Sequence, residues 1–270
     1  MSEIRQRWRL VFARGEAARY LSHLDAVHLW ERAFRRGEIP LATTEGFNSR
    51  PKLIFAAPLQ LGMLAEHELA DLYLSERLTA PDMRRRLTDG MPSGYDVVDL
   101  YDVWVGAPAL APQLVAADYR TSLFSVEPGP LEAAIARLLA ATALPRERHR
   151  EKKTIAYDLR PLLLDARVRA PDPAAITPET AGLPVSGLWL RLRHAQDGGS
   201  GRLEEVIAAL AEVVDPPADP AADAPAAALE SVLAVRERLW LAGELPAAEP
   251  TGGLGVESGL SSTAPAPTHN

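Results

Sequence analysis

The chain of 270 residues has no cysteine. That excludes disulfides, thiolate zinc sites, a cysteine nucleophile and a cysteine-ligated iron–sulfur cluster within this polypeptide, and it fits a reducing compartment. No run approaches the roughly 20 apolar residues of a membrane helix. The opening MSEIRQRWRL lacks the apolar core of a secretion signal. A soluble, cytoplasmic protein is the expectation. Also missing are G-x-S-x-G, a Walker A loop and G-x-G-x-x-G. Gly198-Gly199-Ser200-Gly201 is followed by no Lys-Ser/Thr pair and reads as a flexible turn.

What is present suffices for a folded core. Hydrophobic residues make up 47% of the chain, and the length exceeds the usual single-domain mode of about 100–150 residues, so two domains are expected. The net charge of −7 is unevenly spread. Residues 1–60 hold 10 Lys/Arg and 6 Asp/Glu, residues 61–200 hold 16 and 19, and residues 201–270 hold 3 and 11. The acidity belongs to the C-terminal end. A local basic face is allowed, but a whole-domain polyanion binder is not indicated.

Period-2 alternation predicts a strand over 7–13. Ser22 is a good N-cap and Asp25 a partner for it, with apolar residues at helical spacing through Arg36 and a stop at Gly37. A short strand follows at 39–43, then a turn over 46–51, where Gly46 and Asn48 tolerate positive φ and Pro51 extends Arg50. Strands at 52–57, 68–76 and 95–105 and a helix at 82–87 complete a β-α-β-β-α-β order. Residues 59–63 form a further extended piece. The order returns in the second half: strands at 118–126, 154–164, 187–194 and 232–241, and helices at 130–141 and 203–214. Residues 170–184 read as a proline-rich loop, 216–228 as low-complexity linker. The expected fold class is α+β, two ferredoxin-like split βαβ modules with antiparallel sheets. Their bounds are 1–110 and 111–245, followed by a disordered tail at 246–270.

Candidate binding residues fall in two basic clusters. Arg32, Arg35 and Arg36 crowd the end of the first helix, and the turn adds Phe47, Asn48, Arg50 and Lys52. Cations there suit the helix dipole whatever the function. Guanidinium groups beside an aromatic at a sheet edge also hold phosphates and stack a base. Spacing alone leaves both readings open. The second cluster runs from Arg146 through Lys152 and Lys153, with Arg160 beyond. Such runs ordinarily mark an exposed loop. If both clusters faced one cleft, the binding reading would gain.

His23, Asp25 and His28 are the only metal candidates, and weak ones. Five residues separate the histidines, so they do not share a helix face as an i, i+4 pair would. Glu66-His67-Glu68 lacks the H-E-x-x-H spacing and reads as a solvated loop.

The stretch 20–62, YLSHLDAVHLWERAFRRGEIPLATTEGFNSRPKLIFAAPLQLG, resembles the opening signature of the radical-SAM-linked protein family, DUF2344. That signature is an SHLD helix ending in R-A-x-R-R, a G-F-N-P-R-P-K turn and an apolar P-L-x-x-G segment. The likeness continues through ELADL at 68–72 and Pro92-Ser93-Gly94, resumes with KKTIAYDLRP at 152–161, and spans most of 7–215. Ser49 stands where the family usually has proline, which loosens the turn. The resemblance implies an accessory of a radical-SAM protein with a cobalamin-binding-type domain. With no C-x-x-x-C-x-x-C motif, this chain is not the radical-SAM catalyst, and no cofactor is expected in it.

Three functions fit these observations. The first is a non-catalytic binding module that presents RNA or another substrate to the radical-SAM partner. The second is a metal-independent RNA endonuclease like ferredoxin-like CRISPR nucleases, with His23 as general acid/base and arginines stabilising the developing charge. The third is a docking scaffold using the P-L-Q-L-G segment.

Overall fold

Strand β1 (Gln6–Arg14) alternates as its sequence demands: Trp8, Leu10 and Phe12 face one side, Arg7, Arg9 and Val11 the other. In the computed structural model the described residues are 3–44, 49–150, 153–178, 180, 182–194, 199–216 and 229–246. After β1 come α1 (His23–Arg36), β2 (Leu53–Phe55), β3 (Leu64–Leu74), α2 (Ala80–Gly90) and β4 (Tyr95–Val103). The second half contains β5 (Leu114–Phe124), α3 (Pro128–Ala140), β6 (Pro145–Arg150), β7 (Lys153–Asp158), β8 (Leu163–Arg169), β9 (Val185–Arg193), α4 (Leu203–Val214) and β10 (Ser231–Leu241).

The fold is α+β, and both halves are ferredoxin-like. The first orders its strands β4-β1-β3-β2 and the second β10-β5-β9-β8, with antiparallel neighbours throughout each. The two are fused into one sheet. One edge of β3 is shared: Leu53–Phe55 of β2 pairs along Ala70–Leu72, whereas Leu64 and Ala65 pair in parallel with Val235 and Arg236 of β10. Among the described residues no helix is long and apolar enough to cross a membrane.

All four helices cover the same side. Trp30 and Phe34 of α1 and Met83 and Leu87 of α2 bury against Leu10, Phe12, Leu72 and Leu74. Leu131, Ile135 and Leu138 of α3 and Val206, Ile207 and Leu210 of α4 bury against Leu123, Leu188, Leu190 and Leu192. Side-chain caps start α1 and α2. The Ser22 hydroxyl accepts from Asp25 N at 3.2 Å and donates to Asp25 Oδ2 at 2.6 Å, and Thr79 and Asp82 repeat the device at α2. Helices α1 and α2 meet backbone to backbone: a Cβ on Gly37 would lie 2.2 Å from the Arg86 carbonyl oxygen, and one on Gly90 2.4 Å from that of Ala33.

Three expectations are corrected. Residues 39–43 make only two isolated bridges, Leu41 with Leu74 and Thr43 with Pro51, because Pro40 and Pro51 interrupt donation. The span 154–164 is not one strand: a 3-10 turn at Arg160–Leu162, seeded by Pro161, separates β7 from β8. The basic run that reads as a loop is instead β6, paired with β7 from Pro145↔Asp158 to Arg150↔Lys153. Residues 217–228 and 247–270 lie outside the described residues.

At the seam, Arg236 of β10 donates Nε to Glu68 Oε1 at 2.7 Å and Nη1 to the Pro58 carbonyl at 3.1 Å, and Nη2 completes the pair with Glu68 Oε2. Both side chains are 4% exposed, and the Glu68 charge holds the guanidinium pKa above its ordinary value against the cost of burial. Removing one partner strands the other charge in the interior. Arg236→Ala should lower stability by about 3–5 kcal/mol, read as a shifted urea midpoint. The double variant Glu68→Leu/Arg236→Met should recover most of that loss. A midpoint unmoved by Arg236→Ala would contradict the assignment.

Burial, with the Arg236 charge nearby, lowers the His194 pKa from 6.5 to about 4. A base neutral in the fold yet protonated when unfolded costs stability as pH falls from 6.5 toward 4, by about 2–3 kcal/mol at the lower limit. His194→Asn should flatten that part of the stability–pH profile. An unchanged acid-side slope would refute the cause.

Candidate functional site

The motif-bearing end of the first module divides into used and unused cations. Arg32 and Arg35 are exposed on α1, with no polar partner among the described residues. Arg36 donates to the Gly90 carbonyl at 3.0 Å and so braces α1 on α2. Arg50 is exposed; its backbone N–H donates to Thr44 Oγ1. Lys52 is turned inward: its backbone closes on the Ala42 carbonyl at 2.7 Å and its ammonium sits 4.6 Å from the centre of the Tyr73 ring. Phe47 and Asn48 lie outside the described residues.

The second basic cluster is internally engaged. Arg146 pairs with Glu212 and Arg148 with Glu205, both on α4, at 2.8 Å each. Arg160 donates Nε and Nη2 to the Leu139 carbonyl and Nη1 to that of Leu163, so it caps α3 rather than facing solvent. Lys152 lies outside the described residues, and Lys153 is the first residue of β7.

His23 sits at the mouth of an aromatic crevice, edge-on to Phe55 at 5.8 Å between ring centres. Phe12, Trp30 and Tyr95 close its interior, with Trp30 at 5.2 Å from Phe12 and 5.1 Å from Tyr95. The remaining space is about 20 Å3, room for a water molecule but not a nucleotide. The Asp25 carboxylate is engaged by Ser22. Among the described residues no three His, Asp or Glu side chains converge as a metal site would require, those of His23, Asp25 and His28 included. Glu66-His67-Glu68 is a strand rather than a solvated loop: Glu68 turns inward to Arg236, and Glu66 pairs with Arg120.

The feature that sequence reasoning missed lies on the face opposite the helices. In the first module that face is crossed by the linker after β4. Arg7 and Arg9 converge there on the buried Asp71, and Arg7 also donates to the Ala107 and Pro108 carbonyls. In the second module the segment after β8 covers one end of it, Asp172 meeting Ser122 and Arg120, and arginine and tryptophan occupy the rest. The guanidiniums of Arg167, Arg169 and Arg191 lie 4.4, 5.3 and 5.3 Å from the Trp189 ring centre. Arg191 and Arg238 lie 5.1 and 4.2 Å from that of Trp240. The result is a ladder running from β8 across β9 and over β5 to β10.

Acidic residues hold the ladder in place. Arg191 makes a two-pronged pair with Asp118 at 2.7 and 2.8 Å, and Trp189 Nε1 donates to Glu237 Oε2 at 2.9 Å. Arg169, Arg193 and Arg238 are exposed and pair with no carboxylate among the described residues. The signal was present as WLRLR at 189–193 and RERLW at 236–240. In WLRLR leucine fills the helix-facing phase and tryptophan and arginine the other; in RERLW the phase shifts after Arg236, which leaves Leu239 on the helix side and Arg238 and Trp240 on the other.

On the helix side, the segment 60–63 and α4 enclose an apolar groove of about 560 Å3, lined by Leu61, Met63, Leu203, Ile207, Ala211 and Leu229 among others. Leu61 is 66% exposed at its lip. Arg14 fixes that lip by donating to the Met63 and Gln60 carbonyls.

Comparison with known proteins places these features in a family. The family model described as "Uncharacterized protein conserved in bacteria (DUF2344)" matches residues 7–193. No curated protein matches the chain. Among solved structures, a crystal structure of an unknown protein from Galdieria sulphuraria is 13% identical. The alignment covers 77% of this chain and 91% of that one with a TM-score of 0.23.

Proposed function

The chain belongs to the DUF2344 family, and from that footing we propose that it is a non-catalytic module that binds single-stranded RNA on the uncovered sheet face and presents it to a partner enzyme. The Arg–Trp ladder carries this reading. Single strands are held by cations that follow the phosphates and by flat groups that stack bases, guanidinium planes included. The ladder supplies both through its guanidiniums, whose planes and charge lie on β8, β9 and β10, while Trp189, only 3% exposed, is packed beneath them. Its rigidity comes from Asp118 and Glu237, and its surplus positive charge from Arg169, Arg193 and Arg238.

The partner implied by the family resemblance is a radical-SAM protein with a cobalamin-binding-type domain. The apolar groove beside Leu61 supports docking of such a partner. It lies on the helix side, so an occupant there would leave the ladder open to RNA. This chain would contribute binding and orientation, with the chemistry located in the other polypeptide.

Fluorescence anisotropy with a labelled strand of about twelve nucleotides tests the interface. Binding should weaken linearly with log salt concentration. Arg169→Glu/Arg238→Glu should lower affinity by about tenfold or more at fixed salt, and neutralising either arginine should reduce the salt slope by about one. Binding absent in the wild type, or untouched by the double charge reversal, would overturn the interface.

A further inference from the structure

Where the ladder ends at Arg238, the same face drops into a recess of about 410 Å3 between β4 and β10. Its floor is apolar, made by Val11, Leu69 and Leu239, which are 8%, 7% and 2% exposed. Its rim is polar: His67, Asp99, Tyr101, Arg238 and Glu244. An apolar base with a few convergent polar groups is the usual build of a small-molecule site, and the size lies within the usual range of about 300–1,000 Å3.

The rim groups have definite hydrogen-bonding roles. His67 Nδ1 lies 3.2 Å from the Glu237 carbonyl oxygen. A carbonyl only accepts, so Nδ1 carries the proton and Nε2 of the neutral ring is an acceptor. Asp99 Oδ1 receives the Leu100 N–H at 2.7 Å, and Arg84 reaches the same oxygen at 3.5 Å. The other carboxylate oxygen has no hydrogen-bond partner among the described residues. Burial raises the Tyr101 hydroxyl pKa, partly offset by Arg9, so the group stays a donor at neutral pH. Arg238 contributes N–H donors and, through its contact with Trp240, continuity with the ladder.

We propose that this recess receives one base of the bound strand and selects guanine, with Asp99 reading its donor edge and Arg238 its acceptor edge. The inference rests on the ladder being the RNA interface. Guanine offers N1–H and N2–H2 side by side, which a carboxylate can accept together. Its O6 and N7 are the acceptors that arginine grips. Uracil has a single ring N–H between two carbonyls and places an acceptor against Asp99 and His67. Cytosine and adenine present one amino group and cannot satisfy both edges. A base that turns an acceptor toward Asp99 forfeits that hydrogen bond and sets two acceptors against each other.

The full chain is titrated with two labelled strands of about twelve nucleotides, one all uridine and one with a single central guanosine. The guanosine strand should bind about tenfold more tightly at the same salt. Asp99→Asn, on the exposed rim and still able to accept from Leu100, should erase that preference, bringing the ratio of the two affinities to about one. Inosine, which lacks the N2 amino group, should lose part of the advantage in the wild type and nothing in Asp99→Asn. Equal, salt-sensitive binding of both strands by the wild type would overturn the recess and leave the ladder standing. Preference surviving Asp99→Asn would do the same. Failure of both strands to bind would remove the ladder, and the recess with it.

Discussion

The Arg236–Glu68 pair is the constraint on which the rest of this structure depends. Two opposite charges at the seam of two modules are costly to desolvate, and only close geometry with further hydrogen bonds offsets that cost. Those bonds come from the Pro58 and Ala57 carbonyls, so one guanidinium ties β10 to β3 and to the segment between β2 and β3. Arg14 does the same from β1 through Met63 and Gln60. The segment that forms the lip of the apolar groove is thus clamped from both modules.

The pair also sets what the other face displays. In a strand, a slip of one residue turns every side chain over. The pairing of β10 with β5 shifts between Arg236 and Arg238, so Arg236 points to the helix side while Glu237 and Arg238 reach the uncovered one. Glu237 then receives Trp189, and Arg238 lies on Trp240. One irregularity therefore serves a buried ion pair on one face and the cation–aromatic ladder on the other within three residues. The proposed division of labour, strand on one face and partner on the other, follows from that geometry.

Much of this was legible in the residues. The first helix, its Ser22 cap and the helix at 203–214 follow from periodicity and capping alone, and the repeated β-α-β-β-α-β order gives the ferredoxin-like modules. The family signature at 20–62 belongs to the DUF2344 match. The edge-to-edge fusion was not legible, because a two-residue parallel pairing at Leu64 and Ala65 leaves no pattern of its own. The basic run at 146–153 misled because charge was read as solvation. Its period-2 alternation, which sets Arg146 and Arg148 against α4, was the better guide. Arg160 misled for a related reason: a cation beside a proline turn serves the carbonyls around it. The ladder was missed because nothing in WLRLR or RERLW itself marks which phase of the strand the helices cover.

Photocrosslinking locates the interface without presuming which arginines matter. RNA carrying 4-thiouridine is irradiated with the full chain, and the modified peptides are mapped by mass spectrometry. Crosslinks should concentrate in Leu163–Arg169, Val185–Arg193 and Ser231–Leu241, the three strands that carry the ladder. Crosslinks confined to His23–Arg36 and the turn after it, or none above a bovine albumin control, would contradict the account.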